Sequence, residues 1–207
     1  MERNWKSFLQ PYQQAVNELK IKLRGIRSQY LNLQQQSPIE FVIGRVKTIP
    51  SIKEKMKRRY ISDDRLSQDM EDIAGLRIIC PFIEDIYKVV NILRKRDDLE
   101  AVEERDYVKN NKTSGYRSYH MIFHYSVPMI TGQKKILVEI QIRTLAMNFW
   151  ATVEHSLHYK YDGIFPDYLE KKLQKSADLA YQLDQNMSNI RAKLRQTKQP
   201  QNKSIDN

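Results

Sequence analysis

The sequence predicts an α+β domain, a small mixed sheet with helices packed on it, flanked by long helices at the N- and C-terminal ends. Two observations lead to this prediction. Apolar residues recur at steps of three and four near both ends of the chain, which is typical of amphipathic helices. Between them, the β-branched runs "AGLRIIC" and "KKILVEIQIRT" alternate with helical patterns such as "EDIYKVVNILRKR".

Each element follows from its own pattern. The first helix carries apolar residues from Trp5 to Leu33, and "QQQSPIE" ends it. Ser51 and Glu54 fit a capping box that opens a short basic helix. "YHMIFHYSV" and "KKILVEIQIRT" predict two strands joined at "TGQKK", and "LAMNFWATVEHSLHYKY" predicts a helix. A last amphipathic helix runs from "DYLEKKL" to "RAKLRQ", with Leu173, Ala180, Leu183, Met187, Ile190 and Leu194 on one side.

One domain is therefore expected over 1–195, with an N-terminal helix over 1–36, the core over 37–163, a C-terminal helix over 166–195 and a disordered tail over 196–207. No apolar run approaches the ~20 residues of a membrane helix, and no signal-peptide pattern opens the chain. The single cysteine, Cys80, has no partner for an internal disulfide. These features predict a cytoplasmic protein with no membrane contact.

The charge predicts an anionic partner. Lys and Arg number 35 against 25 Asp and Glu, a net charge of +10. Such an excess favours nucleotides, nucleic acid or acidic lipid. One basic group holds Arg45, Lys47, Lys55 and Arg58, and the other is "NNKTSGYRSYH", with Arg105 upstream. Most charge runs are only solvated faces, but this spacing follows the local helix or strand period, so each group can converge on one point.

Two acids complete a candidate site. In "VEIQIRT", Glu139 shares the polar face of a strand with Gln141 and Arg143, and Asp72 stands just before another strand. The ordinary alternatives are a half-exposed strand and a turn aspartate. Two carboxylates can also share a divalent cation, commonly Mg²⁺ where phosphates supply further ligands, or one can accept a proton. Acids between two basic groups suit phosphoryl transfer, although no Walker A sequence is present.

Five blocks occur in the order of a known family: "GRVKTIPSIKEKM", "EDIAGLRI", "TSGYRSYH", "VEIQIRT" and "NFWATVEHSLHYKY". Together they resemble the synthetase domain of the RelA/SpoT alarmone enzymes, and the chain is similar to small alarmone synthetases of the RelQ type. The resemblance implies a nucleotidyltransferase-like synthetase core. It also implies transfer of the β,γ-pyrophosphate of ATP to the 3′-hydroxyl of GDP or GTP, giving AMP and ppGpp or pppGpp. The longer enzymes of this family carry a hydrolase domain with a His-Asp pair. This sequence contains no such pair, so the resemblance implies synthesis without hydrolysis.

The resemblance also implies residue roles. Asp72 matches the Mg²⁺ ligand, and Glu139 matches the acid that contacts the metal and deprotonates the 3′-hydroxyl. For ATP, the matching positions are Arg45 and Arg77 around the adenine, Lys47, Lys55 and Arg58 at the triphosphate, and Arg105 near the transferred group. For the guanosine substrate, they are Lys112 and His120 at the 5′-phosphates and Tyr116 under the base, with Asn148 and Glu154 as further candidates.

A homo-oligomer, in particular a tetramer, is expected by the same resemblance, with pppGpp as product and activator. Lys20, Arg24 and Arg27 form one basic ridge on the first helix, at steps of four and three. They match positions that bind the phosphates of pppGpp, with Glu40 and Phe41, and less clearly Ile43, near its base. The alternative for this ridge is again a solvated face.

Two other functions suit parts of the sequence. A basic RNA-binding module would use the positive charge and the tyrosines, but it leaves Asp72 and Glu139 without a role. RNA binding as a secondary property stays open. A polymerase-like nucleotidyltransferase would also use strand carboxylates and Mg²⁺, but it would release free pyrophosphate. Product analysis separates the last of these from pyrophosphoryl transfer.

Overall fold

Five strands form one mixed sheet in a computed structural model that describes residues 3–159, 161, 163 and 165–197. The strands are β1 (Phe41–Val46), β2 (Ala74–Cys80), β3 (Glu100–Asp106), β4 (Tyr119–Met129) and β5 (Gly132–Thr144). Their order across the sheet is β1-β2-β5-β4-β3. Only β2 and β5 pair in parallel, and the other three pairs are antiparallel. The predicted fold class is confirmed.

Six helices accompany the sheet in the described residues: α1 (Trp5–Asn32), α2 (Ile49–Arg59), α3 (Leu66–Asp69), α4 (Ile83–Arg94), α5 (Leu145–Tyr159) and α6 (Asp167–Thr197). None of them combines the length and the apolar character needed to cross a bilayer. α6 continues two residues into the stretch predicted as a tail. The rest of that stretch, 198–207, lies outside the described residues.

Some boundaries differ from the sequence-based prediction. α2 begins before the proposed capping box, because Thr48 is its N-cap and accepts the N–H of Ser51 at 3.4 Å. The turn between β4 and β5 lies at 130–131, so most of "TGQKK" belongs to β5. β1 and β3 were not predicted. Both are edge strands of the sheet, and neither shows a clean alternation of apolar and polar residues.

The apolar face of the sheet carries the core. Leu76 and Ile78 of β2 and Ile140 of β5 are buried in one cluster with residues of α1 and α4, among them Leu19 and Leu93. Because successive side chains of a strand point to opposite faces, the residues between these apolar positions lie on the other face. That second face holds Arg77, Glu139 and Gln141, and the candidate site is built there.

α6 presents a polar side to the rest of the chain. Its buried residues are Ala177, Asp184 and Arg191, seven positions apart. The Arg191 guanidinium contacts Asp85 of α4 at 2.6 Å and lies 3.7 Å from the ring centroid of Phe82. The predicted apolar stripe is divided as a result. Leu173 and Ala180 pack against Trp150, whereas four residues of the stripe are exposed, namely Leu183, Met187, Ile190 and Leu194.

Asp184 links α6 to the end of β5. Its carboxylate accepts the hydroxyl of Thr144 at 2.5 Å, and the Thr144 oxygen in turn accepts the N–H of Met147. Burial raises the pKa of Asp184 to about 6, although the Thr144 hydroxyl acts in the opposite direction. The start of α5 and the middle of α6 are therefore joined through one buried, hydrogen-bonded carboxyl group.

Candidate active site

A cavity of about 300 Å³ opens on the polar face of the sheet. The pairing of three strands brings its lining residues together. Arg45 of β1 lies opposite Gly75 of β2, and Gly75 lies opposite Glu139 of β5. Asp72 enters the same cavity from the turn before β2. The lining residues are Ile43, Gly44, Arg45, Asp72, Gly75, Leu76, Arg77, Glu139 and Gln141. Both predicted acids and both predicted adenine-stacking arginines thus meet in one place.

Asp72 is held by two lysines. Lys47 donates to one carboxylate oxygen at 2.9 Å, and Lys55 donates to the other at 2.7 Å. Burial on its own would raise the pKa of Asp72, but the hydrogen bonds and charges of Lys55 and Lys47 outweigh it and lower this pKa. Asp72 is therefore ionised at neutral pH, as a metal ligand has to be.

Glu139 is buried, and each of its carboxylate oxygens accepts one hydrogen bond. His120 Nδ1 lies 2.9 Å from Oε1, and Gln141 Nε2 donates to Oε2 at 2.9 Å. Burial raises the pKa of Glu139 and the negative charge of Asp72 acts the same way, but the His120 and Gln141 bonds leave the pKa below its usual value. A second ionised carboxylate thus faces the cavity.

Asp72 and Glu139 both line the cavity, so a divalent cation bound there would meet two carboxylates. In the described part of the chain, no group of three or more His, Cys, Asp or Glu side chains could hold a metal ion. Two carboxylates, with substrate phosphates and water, are a common ligand set for Mg²⁺.

A basic wall lies beside this cavity. A second cavity of about 210 Å³ lies between the end of β1 and one side of α2, and its lining includes Arg45, Lys47, Lys55 and Arg58 together with the acid Glu54. Lys55 and Arg58 share a helix face because they are three residues apart. His155 of α5 lines the same cavity. It was not predicted, although it stands next to Glu154 in the motif "EHSLHYK".

Arg77 is half-buried in the wall of the cavity. Burial, followed by the charges of Arg143 and Arg45, lowers the pKa of its guanidinium to about 10. Its Nη1 donates to the side-chain oxygen of Asn148 at 3.0 Å, and its buried Nε has no hydrogen-bond partner. A planar guanidinium fixed in this way can act as a stacking surface for a flat ring.

The loop "NNKTSGYRSYH" rests on α6 and on the rim of the site. Gly115 has φ +88°, and a Cβ there would lie 2.5 Å from the Cβ of Ala177, so this position requires glycine. Lys112 Nζ lies about 5 Å from the ring centroids of Tyr107 and Tyr116. The loop therefore presents an aromatic ring and a cation together.

A hydrogen-bond chain connects this loop to the acid. Arg143 Nη2 donates to the phenol oxygen of Tyr116 at 2.5 Å, and that oxygen lies 2.8 Å from His120 Nε2. The other nitrogen of His120 contacts Glu139. The order along the chain is Arg143, Tyr116, His120 and Glu139.

Three comparisons with known proteins agree with this geometry. The family model described as a region found in RelA / SpoT proteins matches residues 44–164. The chain is 50% identical to the GTP pyrophosphokinase YjbM of Bacillus subtilis, over 94% of this chain and 92% of that protein. The chain belongs to the RelA/SpoT family. The predicted family membership is confirmed.

Two solved structures of RelA/SpoT relatives are similar to this chain as a whole. The small alarmone synthetase 1 of Bacillus subtilis bound to its product pppGpp has a TM-score of 0.89 and 51% identity, covering 93% of this chain and 98% of that one. The same synthetase bound to AMPCPP has a TM-score of 0.83 and 47% identity, covering 94% and 100%.

Within this RelA/SpoT fold, three further predicted substrate residues also have protein partners. Arg105 forms a two-bond ion pair with Glu71 and also contacts Glu103. Asn148 accepts a hydrogen bond from Arg77 Nη1 at 3.0 Å, and its contact with the guanosine substrate stays a prediction. Glu154 contacts His158 at 3.4 Å in a separate cavity of about 410 Å³ that also includes Ser114. Gln141 and Arg143, which the sequence analysis mentioned only as face residues, are integral to the site.

The predicted regulatory residues gather where α1 crosses β1. Gly44 allows this approach, since a Cβ there would lie 2.9 Å from Val16 and 3.2 Å from the Lys20 side chain. Arg24 donates to the carbonyl of Val42 at 3.4 Å, and Arg27 lies 3.8 Å from Glu40. Strand alternation turns Phe41 and Ile43 to the other face of β1, and Ile43 lines the catalytic cavity.

Proposed function

We propose that this chain transfers the β,γ-pyrophosphate of ATP to the 3′-hydroxyl of GDP or GTP, releasing AMP and forming ppGpp or pppGpp. The observation that carries the proposal is one cavity with two ionised carboxylates, which lies beside a basic wall and is linked to Tyr116 of the loop through the hydrogen bonds of His120. The predicted enzyme class, a GTP pyrophosphokinase, is confirmed by the relative at 50% identity.

ATP would occupy the side of the cavity formed by β1, β2 and α2. Arg45 and Arg77 line one cavity and would hold the adenine between their guanidinium planes. The triphosphate would then extend along the basic wall, where Lys47, Lys55 and Arg58 neutralise its charge. Arg105 would have to leave Glu71 or Glu103 to reach the transferred group, so its contact with ATP requires a rearrangement.

The guanosine substrate would lie against the loop. Tyr116 would stack on the guanine, and Lys112, which already lies over that ring, would meet the 5′-phosphates. Stacking of this kind contributes about 1–3 kcal/mol per base in nucleic-acid binders. Neither contact includes a hydrogen bond to the edge of the base, so stacking on Tyr116 alone does not distinguish guanine from adenine.

Glu139 would accept the proton of the 3′-hydroxyl as that oxygen attacks the β-phosphorus of ATP. The bond between this phosphorus and the α,β-bridging oxygen would break, and AMP would leave with that oxygen. Asp72 and Glu139 would hold Mg²⁺, which would supply neutralisation of the phosphate charge. Lys47 and Lys55 now occupy both oxygens of Asp72, so their ammonium groups would have to move to phosphate oxygens when ATP and the cation enter. Proton acceptance and charge neutralisation thus fall to neighbouring side chains.

Product analysis tests this proposal. The chain is incubated with ATP, GDP and Mg²⁺, and the nucleotides are separated by ion exchange. AMP and a guanosine species with a 3′-pyrophosphate are expected in equal amounts. Release of free pyrophosphate would instead indicate nucleotidyl transfer. The same incubation with Mg²⁺ replaced by a chelator is expected to give no product.

RNA binding has no support from this site. A cleft built on two ionised carboxylates repels a polyanion unless a cation intervenes. RNA contact elsewhere on the basic surface is a separate matter, which a filter-binding titration at two salt concentrations would address.

We further propose that the chain assembles into a homo-oligomer, in particular a tetramer. The sequence suggested the apolar stripes of both end helices as contacts. In the structure, Leu19 and Leu23 of α1 are used by the chain's own core, whereas Leu183 and Ile190 of α6 are about half exposed. An exposed row of large apolar residues is typical of an interface.

Light scattering is expected to give four times the chain mass at micromolar concentration. The double variant Leu183→Glu, Ile190→Glu is expected to give a smaller mass, because carboxylates would be buried against each other at the contact. Ile130→Glu, in the exposed turn between β4 and β5, is the control and should keep the parent mass. A monomeric parent would contradict the proposal.

The ridge of Lys20, Arg24 and Arg27 is proposed as the site at which pppGpp activates the enzyme. Symmetry would bring several copies of α1 together, and like charges in a cleft favour the entry of an anion. With all three residues changed to Ala, basal synthesis should persist and stimulation by added pppGpp should vanish. Coupling of this kind typically changes affinity by roughly 5–150-fold. Equal stimulation of variant and parent would make the ridge a solvated face.

A further inference from the structure

We propose that His120 is a positioning residue for Glu139, and that this role, rather than a contact with the 5′-phosphates of guanosine, explains its place in the site. The inference rests on the proposed function of Glu139 as the proton acceptor. It concerns how the acceptor is oriented, which the resemblance to the family did not address.

Strand pairing sets the contact. His120 of β4 lies opposite Gln141 of β5, and Glu139 precedes Gln141 by two positions on the same face. His120 and Glu139 are therefore diagonal neighbours across an antiparallel pair, which brings long side chains within reach. The imidazole Nδ1 lies 2.9 Å from the Oε1 of Glu139, and both residues are more than nine-tenths buried.

The donors and acceptors fix the direction of the chain. An arginine can only donate, so the Tyr116 oxygen accepts from Arg143. A carboxylate can only accept, so His120 Nδ1 carries a proton and donates it to Glu139. In the neutral ring, Nε2 is then an acceptor and takes the phenol proton of Tyr116. In this series of three hydrogen bonds, each donor therefore lies on the Arg143 side and each acceptor on the Glu139 side.

This arrangement holds the carboxylate in one orientation. His120 occupies one lone pair of Oε1, and Gln141 occupies one of Oε2. A carboxylate has about four such positions, so two remain for the cation and the 3′-hydroxyl. Without the His120 bond, Oε1 would be free to rotate out of line with the incoming hydroxyl, and misalignment of a proton acceptor lowers turnover more than binding.

A phosphate contact would cost His120 one of these bonds. Both ring nitrogens have protein partners, and the ring stands edge-on to Tyr107 and Tyr116, with centroids 5.2 and 5.9 Å away. Lys112, in contrast, is exposed on the same loop and lies over Tyr116. The structure thus offers Lys112, but not His120, as a group ready to meet a phosphate.

Two substitutions at the same position separate the roles. Asn places an amide nitrogen on Cγ, where Nδ1 is attached in His, so His120→Asn keeps a donor for Glu139 and loses the bond to Tyr116. Gln extends its amide to the level of Nε2, so His120→Gln keeps a partner for Tyr116 and loses the donor to Glu139. Both variants replace the ring with a primary amide and differ from each other by one methylene, which makes each the control for the other.

Steady-state kinetics with ATP, GDP and Mg²⁺ supply the first readout. We expect kcat of His120→Asn to exceed that of His120→Gln by about tenfold or more, with the KM for GDP within about threefold of the parent in both. A rise in the KM for GDP of tenfold or more in both variants, with kcat retained, would overturn the inference in favour of the phosphate role. Equal losses of kcat would overturn it as well.

A second readout does not depend on activity. An imidazole N–H that donates to a buried carboxylate gives a downfield resonance, which we expect in the proton NMR spectrum of the substrate-free parent. We expect this resonance to be absent from the spectrum of His120→Gln. Glu139→Gln should remove the same resonance. A parent without the resonance would show that the His120–Glu139 bond is absent in solution. A parent with it but without synthesis of a 3′-pyrophosphate would instead contradict the proposed function.

Discussion

Glu139→Gln is expected to lower the turnover of pyrophosphoryl transfer by roughly 10²–10⁴-fold, the range for loss of a general base, with the fold unchanged. An amide has nearly the shape of the carboxylate, but it cannot accept the 3′-hydroxyl proton and it is a poor ligand for a cation. It also meets donors on both sides, since His120 and Gln141 each donate to Glu139. One of these bonds must therefore be lost.

The measurement is kcat for AMP formation under saturating ATP and GDP. Glu100→Gln is the matched control, because it is the same substitution at an exposed position. Glu100 lies on the edge strand β3 and pairs with Lys135. The control should keep the parent rate. Near-normal turnover of Glu139→Gln would remove Glu139 from the role of proton acceptor.

Arg191→Met is expected to lower the free energy of unfolding by about 3 kcal/mol, the lower end of the range for breaking a buried ion pair. Arg191 donates to both oxygens of Asp85, which is 1% exposed, and also contacts Glu84. Without it, α6 loses its main polar attachment to α4. We expect the decrease in the free energy of unfolding to lie at the lower end of that range, because Lys88 still contacts one oxygen of Asp85 at 2.7 Å.

Urea unfolding at one fixed protein concentration measures this effect, since assembly would make stability depend on concentration. Arg195→Met, one turn further along α6 and exposed, is the control and should change little. The double variant Arg191→Met, Asp85→Asn should recover part of the loss, because it no longer leaves a buried charge with one partner fewer. Equal effects at positions 191 and 195 would mean that the buried pair adds no stability.

The central strands of the sheet could be predicted from the sequence because burial on one face leaves a clear pattern. β2 was predicted with its observed limits, and the apolar alternation of Ile140 and Ile142 located β5. The edge strands carried no such pattern. β3 has the sequence "EAVEERD", in which most side chains are charged. It lies at the edge of the sheet, where one side of the strand faces solvent. Edge strands are often protected from aggregation in this way.

The site could be predicted as a set of residues but not as a set of contacts. Asp72 and Glu139 were found because acids between basic groups are conspicuous and because the motifs resemble a family. That Lys47 and Lys55 bind Asp72, or that Asn148 supports Arg77, depends on distances between elements. Likewise, the contact of His120 with Glu139 follows from the β4–β5 register, which no local pattern specifies.

The contact between Gly115 and Ala177 restricts how relatives of this chain can diverge. A side chain on Gly115 would overlap Ala177, and a larger residue at 177 would press on the loop that carries Tyr116. The two positions belong to different elements and are far apart in the chain, yet neither can gain volume alone. Among homologues we therefore expect a small residue at position 177 wherever position 115 is glycine. A larger residue at either position would displace the loop that carries Tyr116, and with it the proposed contact to the guanosine substrate.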